Sequence, residues 1–219
     1  MRQVVILVEG QTEETLVNEV LGPAASMRGT YVTPVVVTTS ATPTGAHHGG
    51  GHWKHYHAQL QALLKASHWE RVGLLLDYYQ YPKGAPGREV ATPSGSLDSV
   101  GRQSALMTAL RAEYPDPRFR PLVVLHEIEA LVLAAIDAGR GDGLLPRQGL
   151  AELRQAITRA GGPERVNDGP STAPSKRLEA ADPGYMKTVI GPQLVSEAGL
   201  PAVLERCPTF RAWWEDLLS

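Results

Sequence analysis

Apolar positions fall into short continuous runs that alternate with stretches of helical spacing. The first run, Val4-Val5-Ile6-Leu7-Val8, is wholly apolar and mostly β-branched. Bounded by glycine, such a run reads as a strand buried on both faces, as in a parallel sheet. Beyond Glu9-Gly10, the residues Leu16, Val17, Val20 and Leu21 recur at helical spacing, with Thr12 placed to cap that helix and Gly22-Pro23 to stop it. A second strand is predicted over 32–38, followed by a loop over 39–51 and a helix over 54–66 that carries Leu60, Leu63 and Leu64 on one face. A third strand over 72–76 runs into Asp77, and a Pro/Gly-rich loop over 81–95 leads to a helix over 99–113. A fourth strand over 122–125 runs into His126-Glu127-Ile128-Glu129. The alternation predicts an α/β fold: a Rossmann-like, mainly parallel four-stranded sheet flanked by helices. After Leu133 the strand pattern fades into helices over 148–160, 175–181 and 210–218. The expected organisation is an α/β domain over 1–137 and a C-terminal helical cap over 138–219 packed on the same core.

Composition narrows the function. With 42% hydrophobic and 20% charged residues, the chain is neither disordered nor a coiled coil. Its net charge of −2 provides no basic coat, so any hold on nucleic acid through bulk electrostatics is weak. A single cysteine, Cys207, excludes an internal disulfide and a cysteine-based zinc site, and it suits a cytoplasmic protein. No apolar run approaches the length of a membrane helix, and Met1-Arg2-Gln3 ahead of the first strand is not read as a signal peptide.

Carboxylates stand at the ends of three predicted strands: Glu9, Asp77, and Glu127 with Glu129. Ligands of open α/β sheets gather at those carboxyl ends. Converging acids repel one another, and a hard divalent cation with oxygen ligands relieves that repulsion. Each acid alone also reads as a helix cap or a surface ion pair. Glu13 and Glu14, in the first turn of a helix, are favoured there by the macrodipole. Glu127 and Glu129 share a face if the strand continues and diverge if a helix has begun, so at most one faces Asp77. Glu129 is preferred because it directly precedes the apolar run 130–133. Gly10 and Thr12, in the turn that opens the first helix, are candidates for holding a phosphate.

The string VEGQTEE (8–14) resembles the glutamate motif of Toprim domains, the fold shared by topoisomerases, bacterial primases and the overcoming-lysogenization-defect nucleases. A fuller likeness is to the bacterial Toprim-like family called domain of unknown function 4276. It is carried by that string together with LLLDYYQYP (74–82), HEIEALVLA (126–134), NDGPSTAPSKRL (167–178), YMKTVIG (185–191) and CPTFRAWW (207–214). The resemblance implies Mg²⁺- or Mn²⁺-dependent phosphodiester hydrolysis of DNA or RNA. It also implies a setting in anti-phage defence or mobile elements, with a partner ATPase supplying recognition or control. Glu9 then matches the Toprim glutamate, a metal ligand or general acid/base, and Asp77 the first aspartate of the D-x-D motif. Tyr79 stands where the second aspartate belongs. Glu13 matches the second acid of the nuclease branch, and Glu127 or Glu129 could supply the missing ligand. Tyr79 keeps a second reading open: a non-catalytic regulatory or sensor subunit that binds metal, nucleotide or a partner protein.

Six of the seven histidines lie between His47 and His68. Without a Cys/His framework, zinc at the His47–His57 cluster is not expected, and a solvated or substrate-facing loop is. His126, beside the acidic strand end, reads equally as a phosphate contact and as a satisfied strand-end histidine. Over 139–187, eight Lys and Arg face six Asp and Glu. There Lys176 and Arg177 at a helix start, and Lys187 paired with Tyr185, are the nucleic-acid candidates, against an ordinary role in salt bridges with Glu179 and Asp182. The oligomeric state is left open.

Overall fold

The structure is a computed structural model that describes residues 1–42, 45–48, 51–91, 97–125, 127–166 and 172–219, with backbone only for 39–42, 45–48 and 91. The chain forms two compact units, Met1–Val124 with Trp213–Ser219, and Leu125–Ala212. The expected boundary near residue 137 grouped the helix after Glu129 with the sheet, whereas the contacts group it with the helical unit.

The first unit contains a four-stranded, all-parallel sheet in the order β2-β1-β5-β6, built from β1 (Arg2–Val8), β2 (Thr30–Val36), β5 (Arg71–Asp77) and β6 (Phe119–Val124). In β1, Val4 to Val8 are all buried, as expected of a central strand between two layers. Pro34 and Pro121 sit in β2 and β6, the two edge strands, where a missing backbone donor is tolerated. Helices α3 (Trp53–Lys65) and α4 (Ser99–Glu113) place Tyr56, Leu60, Leu106 and Leu110 in one core cluster with Val5, Leu7, Leu74, Leu76 and Val123. Toward the opposite face of β5, Trp213 and Leu217 of the terminal helix come so close that a Cβ on Gly73 would lie 3.4 Å from each and 3.3 Å from Ile6. Trp213 also donates its indole N–H to the Arg120 carbonyl at 2.9 Å.

Local details depart from the sequence reading. The first helix begins at Gln11 with Gly10, not Thr12, as its cap, because the Glu13 carboxylate reaches back to accept the Gly10 N–H at 3.0 Å. Gly22-Pro23 does not end the helical path. After α1 (Gln11–Leu16) comes a π-helical turn, Val17–Leu21, and then α2 (Gly22–Ser26). The widened turn changes which carbonyl needs a donor and accommodates the proline that a regular α-helix would reject. The loop expected over 39–51 contains a two-stranded antiparallel sheet, β3 (Thr38–Thr42) with β4 (Gly45–His48). Its Thr-rich first strand has the β-branched composition that favours such pairing.

The second unit is helical: α5 (Ala130–Asp137), α6 (Arg147–Ala160), α7 (Pro174–Ala181), α8 (Ile190–Ala198), α9 (Leu200–Arg206) and the start of α10 (Pro208–Leu218). Ala130 to Ile136 are all buried, so α5 is the central helix, with α6, α8 and α9 packed around it. Gly149 in α6 has no room for a side chain, because a Cβ there would stand 2.4 Å from the Ala181 carbonyl oxygen of α7. Cys207 is buried, and burial pushes its thiol well up.

Candidate functional site

The strand order reverses between β1 and β5: the chain leaves β1 for β2 on one side, then returns to build β5 and β6 on the other. A reversal of this kind opens a crevice beyond the carboxyl ends of the two strands, where α/β proteins hold ligands. Glu9 directly follows β1, and Asp77 is the last residue of β5. Because β1 and β5 pair in parallel, with Leu7 opposite Leu74, both acids leave neighbouring strands at the same end. Glu9 is 8% exposed, an unusual position for a carboxylate. Glu13 is also buried, but its carboxylate is engaged by the Gly10 N–H, so it serves the turn, and a phosphate at that N–H would have to displace it. Thr12 lies in the first turn of α1 without a capping role.

Residues around this end also include some that sequence reasoning missed. Arg102, in the first turn of α4, donates to the Tyr78 hydroxyl at 2.6 Å and to the Leu97 carbonyl at 2.5 Å. Its guanidinium lies 6.0 Å from the Tyr78 ring centroid, which fixes a cation beside the residue after Asp77. No periodicity marks Arg102, although its place just after an Asp98 cap at a helix start is a usable signal. Tyr79 is 39% exposed.

The other predicted acids belong to the second unit. Strand β6 stops at Val124; Glu127 lies in the turn before α5, and Glu129 immediately precedes that helix. Both are buried and both have protein partners. The Glu127 carboxylate accepts the Ser175 N–H at 2.8 Å, satisfying a free donor in the first turn of α7. Glu129 Oε1 lies 3.2 Å from the Lys187 ammonium. Burial pushes the Glu129 carboxyl up, with Lys187 opposing and Glu127 adding to the rise. Burial works against the Lys187 ammonium, but the charge and hydrogen bond of Glu129, with the charges of Glu127 and Glu179, together outweigh it and carry that group upward.

The other basic candidates are likewise engaged. Lys176 pairs with Glu179 at 2.7 Å on an exposed face, and Arg177 donates to the Thr172 carbonyl at 2.9 Å. Tyr185 is buried, which corrects the expectation that its ring could stack on a base; burial pushes its hydroxyl up, with Glu129 and Glu179 adding to the effect. His126 lies outside the described residues, as do the side chains of His47 and His48. The His57 ring contacts the Tyr114 hydroxyl. Among the described residues, no three of His, Cys, Asp and Glu are grouped closely enough to hold a metal ion. Glu9 and Asp77 are hard oxygen donors, and their number fits a Mg²⁺ that keeps most of its waters, not a two-metal cage.

Fold and strand ends define an α/β protein with a parallel sheet and a pair of acids at its switch point. Within that class, the chain belongs to the family described as Domain of unknown function (DUF4276), whose model matches residues 8–218. No curated protein and no solved structure matches the chain. Among the described residues, no helix is long and apolar enough to cross a membrane.

Proposed function

We propose that the protein is a Toprim-like, Mg²⁺- or Mn²⁺-dependent nuclease that hydrolyses phosphodiesters of DNA or RNA. On this reading it acts in the cytoplasm, in a bacterial anti-phage or mobile-element system, with an ATPase partner. The observation that carries the reading is the position of Glu9 and Asp77 at the carboxyl ends of the paired strands that flank the switch point. These two carboxylates would hold the cation. When bound, it would neutralise charge developing on a phosphate and lower the pKa of a bound water. Burial of Glu9 supports the assignment, since a carboxylate with little access to water gains from a nearby cation. Arg102, held by Tyr78, adds a positive charge for orienting a phosphate. A net charge of −2 fits a subunit that draws part of its nucleic-acid affinity from a partner.

One observation favours a second reading, a non-catalytic regulatory or sensor subunit. Glu127 and Glu129, which could have replaced the acid missing at Tyr79, are taken up by the Ser175 N–H and the Lys187 ammonium. Incubating the purified chain, with and without ATPase partners, with plasmid, single-stranded DNA and RNA in Mg²⁺ or Mn²⁺ separates the two readings. The nuclease reading expects cation-dependent cleavage that Glu9→Gln and Asp77→Asn abolish. Metal binding without cleavage of any substrate would favour the regulatory subunit.

A further inference from the structure

Within the first unit, a pocket of about 550 Å³ has a wall that includes His52, Trp53, Lys54, His57, Lys83 and Glu113, none of them a member of the acid pair. Its volume is in the range that holds a nucleotide-sized ligand. Three separate pieces of chain build it: the start of α3, the loop that follows β5, and the end of α4, which supplies Glu113. Backbone hydrogen bonds lock the first two together. The Trp53 N–H donates to the Lys83 carbonyl at 2.9 Å, and the Lys83 N–H donates to the Gly51 carbonyl at 3.1 Å. Together they make a parallel bridge between His52 and Lys83. The stretches of backbone that carry Lys54 and Lys83 are thereby fixed beside each other before any ligand arrives, which lowers the entropic penalty of binding.

The chemistry of the wall is cationic. Lys54 and Lys83 are exposed, and among the described residues neither ammonium has a hydrogen bond or ion pair. Glu113 is the opposing carboxylate on the wall, and two lysines outnumber it. His52 adds a further ring donor, whereas His57 is taken up by the Tyr114 hydroxyl. Trp53 offers no stacking surface, because it is buried with its ring stacked on Tyr56 and edge-on to Tyr114. The histidines and Glu113 do not form a metal-holding group. What remains is a preformed socket for compact negative charge.

We propose that this pocket binds a phosphate group, with the Lys54 and Lys83 ammoniums as its direct contacts. A free phosphorylated small molecule and the backbone of a polynucleotide present the same chemistry, and both are probed. Binding of pyrophosphate and of a short, fluorescently labelled single-stranded oligonucleotide is measured in EDTA, by calorimetry and anisotropy respectively. Excluding divalent cations separates this test from the nuclease reading, which depends on Glu9 and Asp77. Wild type binds at least one probe; Lys54→Gln and Lys83→Gln each weaken it roughly tenfold, the scale of one charge-assisted hydrogen bond. Lys83→Arg keeps binding within a few-fold, and Lys65→Gln at the other end of α3 leaves it unchanged. A polynucleotide ligand gives tighter oligonucleotide binding, with a log–log salt slope reduced by about 0.7 for each lysine removed. A small phosphorylated ligand gives pyrophosphate binding that competes the oligonucleotide away. Failure of both probes to bind, or binding indifferent to both substitutions in variants with unchanged melting, overturns the proposal.

Discussion

The Lys187 ammonium stands 3.2 Å from the carboxylate of Glu129, a residue only 3% exposed. The pair is asymmetric, since the Lys187 side chain keeps 39% of its exposure. Solvent therefore screens part of the attraction, while removing the lysine leaves a buried acid without its cation. Lys187→Met is expected to destabilise the chain by about 1–2 kcal/mol in urea denaturation, between the values for surface and buried pairs. Adding Glu129→Gln to that variant should recover most of the loss, because the uncompensated charge is then gone. A double variant as unstable as Lys187→Met would show that packing, not charge, dominates.

Glu127 acts through the Ser175 N–H at the start of α7. Glu127→Ala removes the acceptor and should lower stability by about 1–2 kcal/mol, whereas Glu127→Gln keeps an oxygen in place and should have a smaller effect. Thermal melts of both variants check this. Equal losses would mean that the carboxylate's charge matters more than its hydrogen bond.

Arg118 ties the end of α3 to the start of β6. It donates to the Ala66 and Trp69 carbonyls at 3.0 and 3.2 Å, contacts the Leu64 carbonyl, and pairs with Asp116 at 2.8 Å. The hydrogen bond from Arg118 holds the Asp116 carboxyl below its usual range. A depressed folded-state pKa means stability that is present above the unfolded value and lost as pH falls through the folded one. The acid limb of stability, below the ordinary aspartate value of 3.8, should therefore be flatter in Asp116→Asn than in wild type. Arg118→Ala, which loses the carbonyl contacts as well, should cost about 2–3 kcal/mol at neutral pH in urea titrations.

Gly73 marks where the terminal helix meets the sheet. With a Cβ contact of 3.3 Å to Ile6 and of 3.4 Å to Trp213 and to Leu217, Gly73→Ala should overpack that layer and cost about 1–2 kcal/mol. Its melting temperature relative to wild type provides the check, and no change would mean that α10 yields freely.

How much of this was legible in the sequence follows from the range of the interactions involved. Strands β1 and β5 can be read from their continuous apolar runs, and α3 from the spacing of Leu60, Leu63 and Leu64, because burial on a fixed face imposes those patterns. Glu9 and Asp77 can be read as strand-end acids for the same reason. The π-helical turn before Gly22-Pro23 cannot, since it depends on how a helix rearranges around a proline already accommodated. Nor can the Ser175 N–H that Glu127 accepts, 48 residues away, or the Ala66 and Trp69 carbonyls that Arg118 holds, about 50 residues away, since neither carries a local signature. The socket of Lys54 and Lys83 escaped for that reason too: a backbone bridge between His52 and Lys83 joins two segments that look like unrelated loop edges.

The central claim is that Glu9 and Asp77 together hold a divalent cation. Mn²⁺ binding, followed by the loss of the free-ion electron paramagnetic resonance signal, tests this without requiring a substrate. The account predicts Mn²⁺ binding by wild type that Glu9→Gln and Asp77→Asn each weaken by roughly tenfold or more, with metal-free melting unchanged. Mn²⁺ affinity equal in wild type and both variants would contradict it.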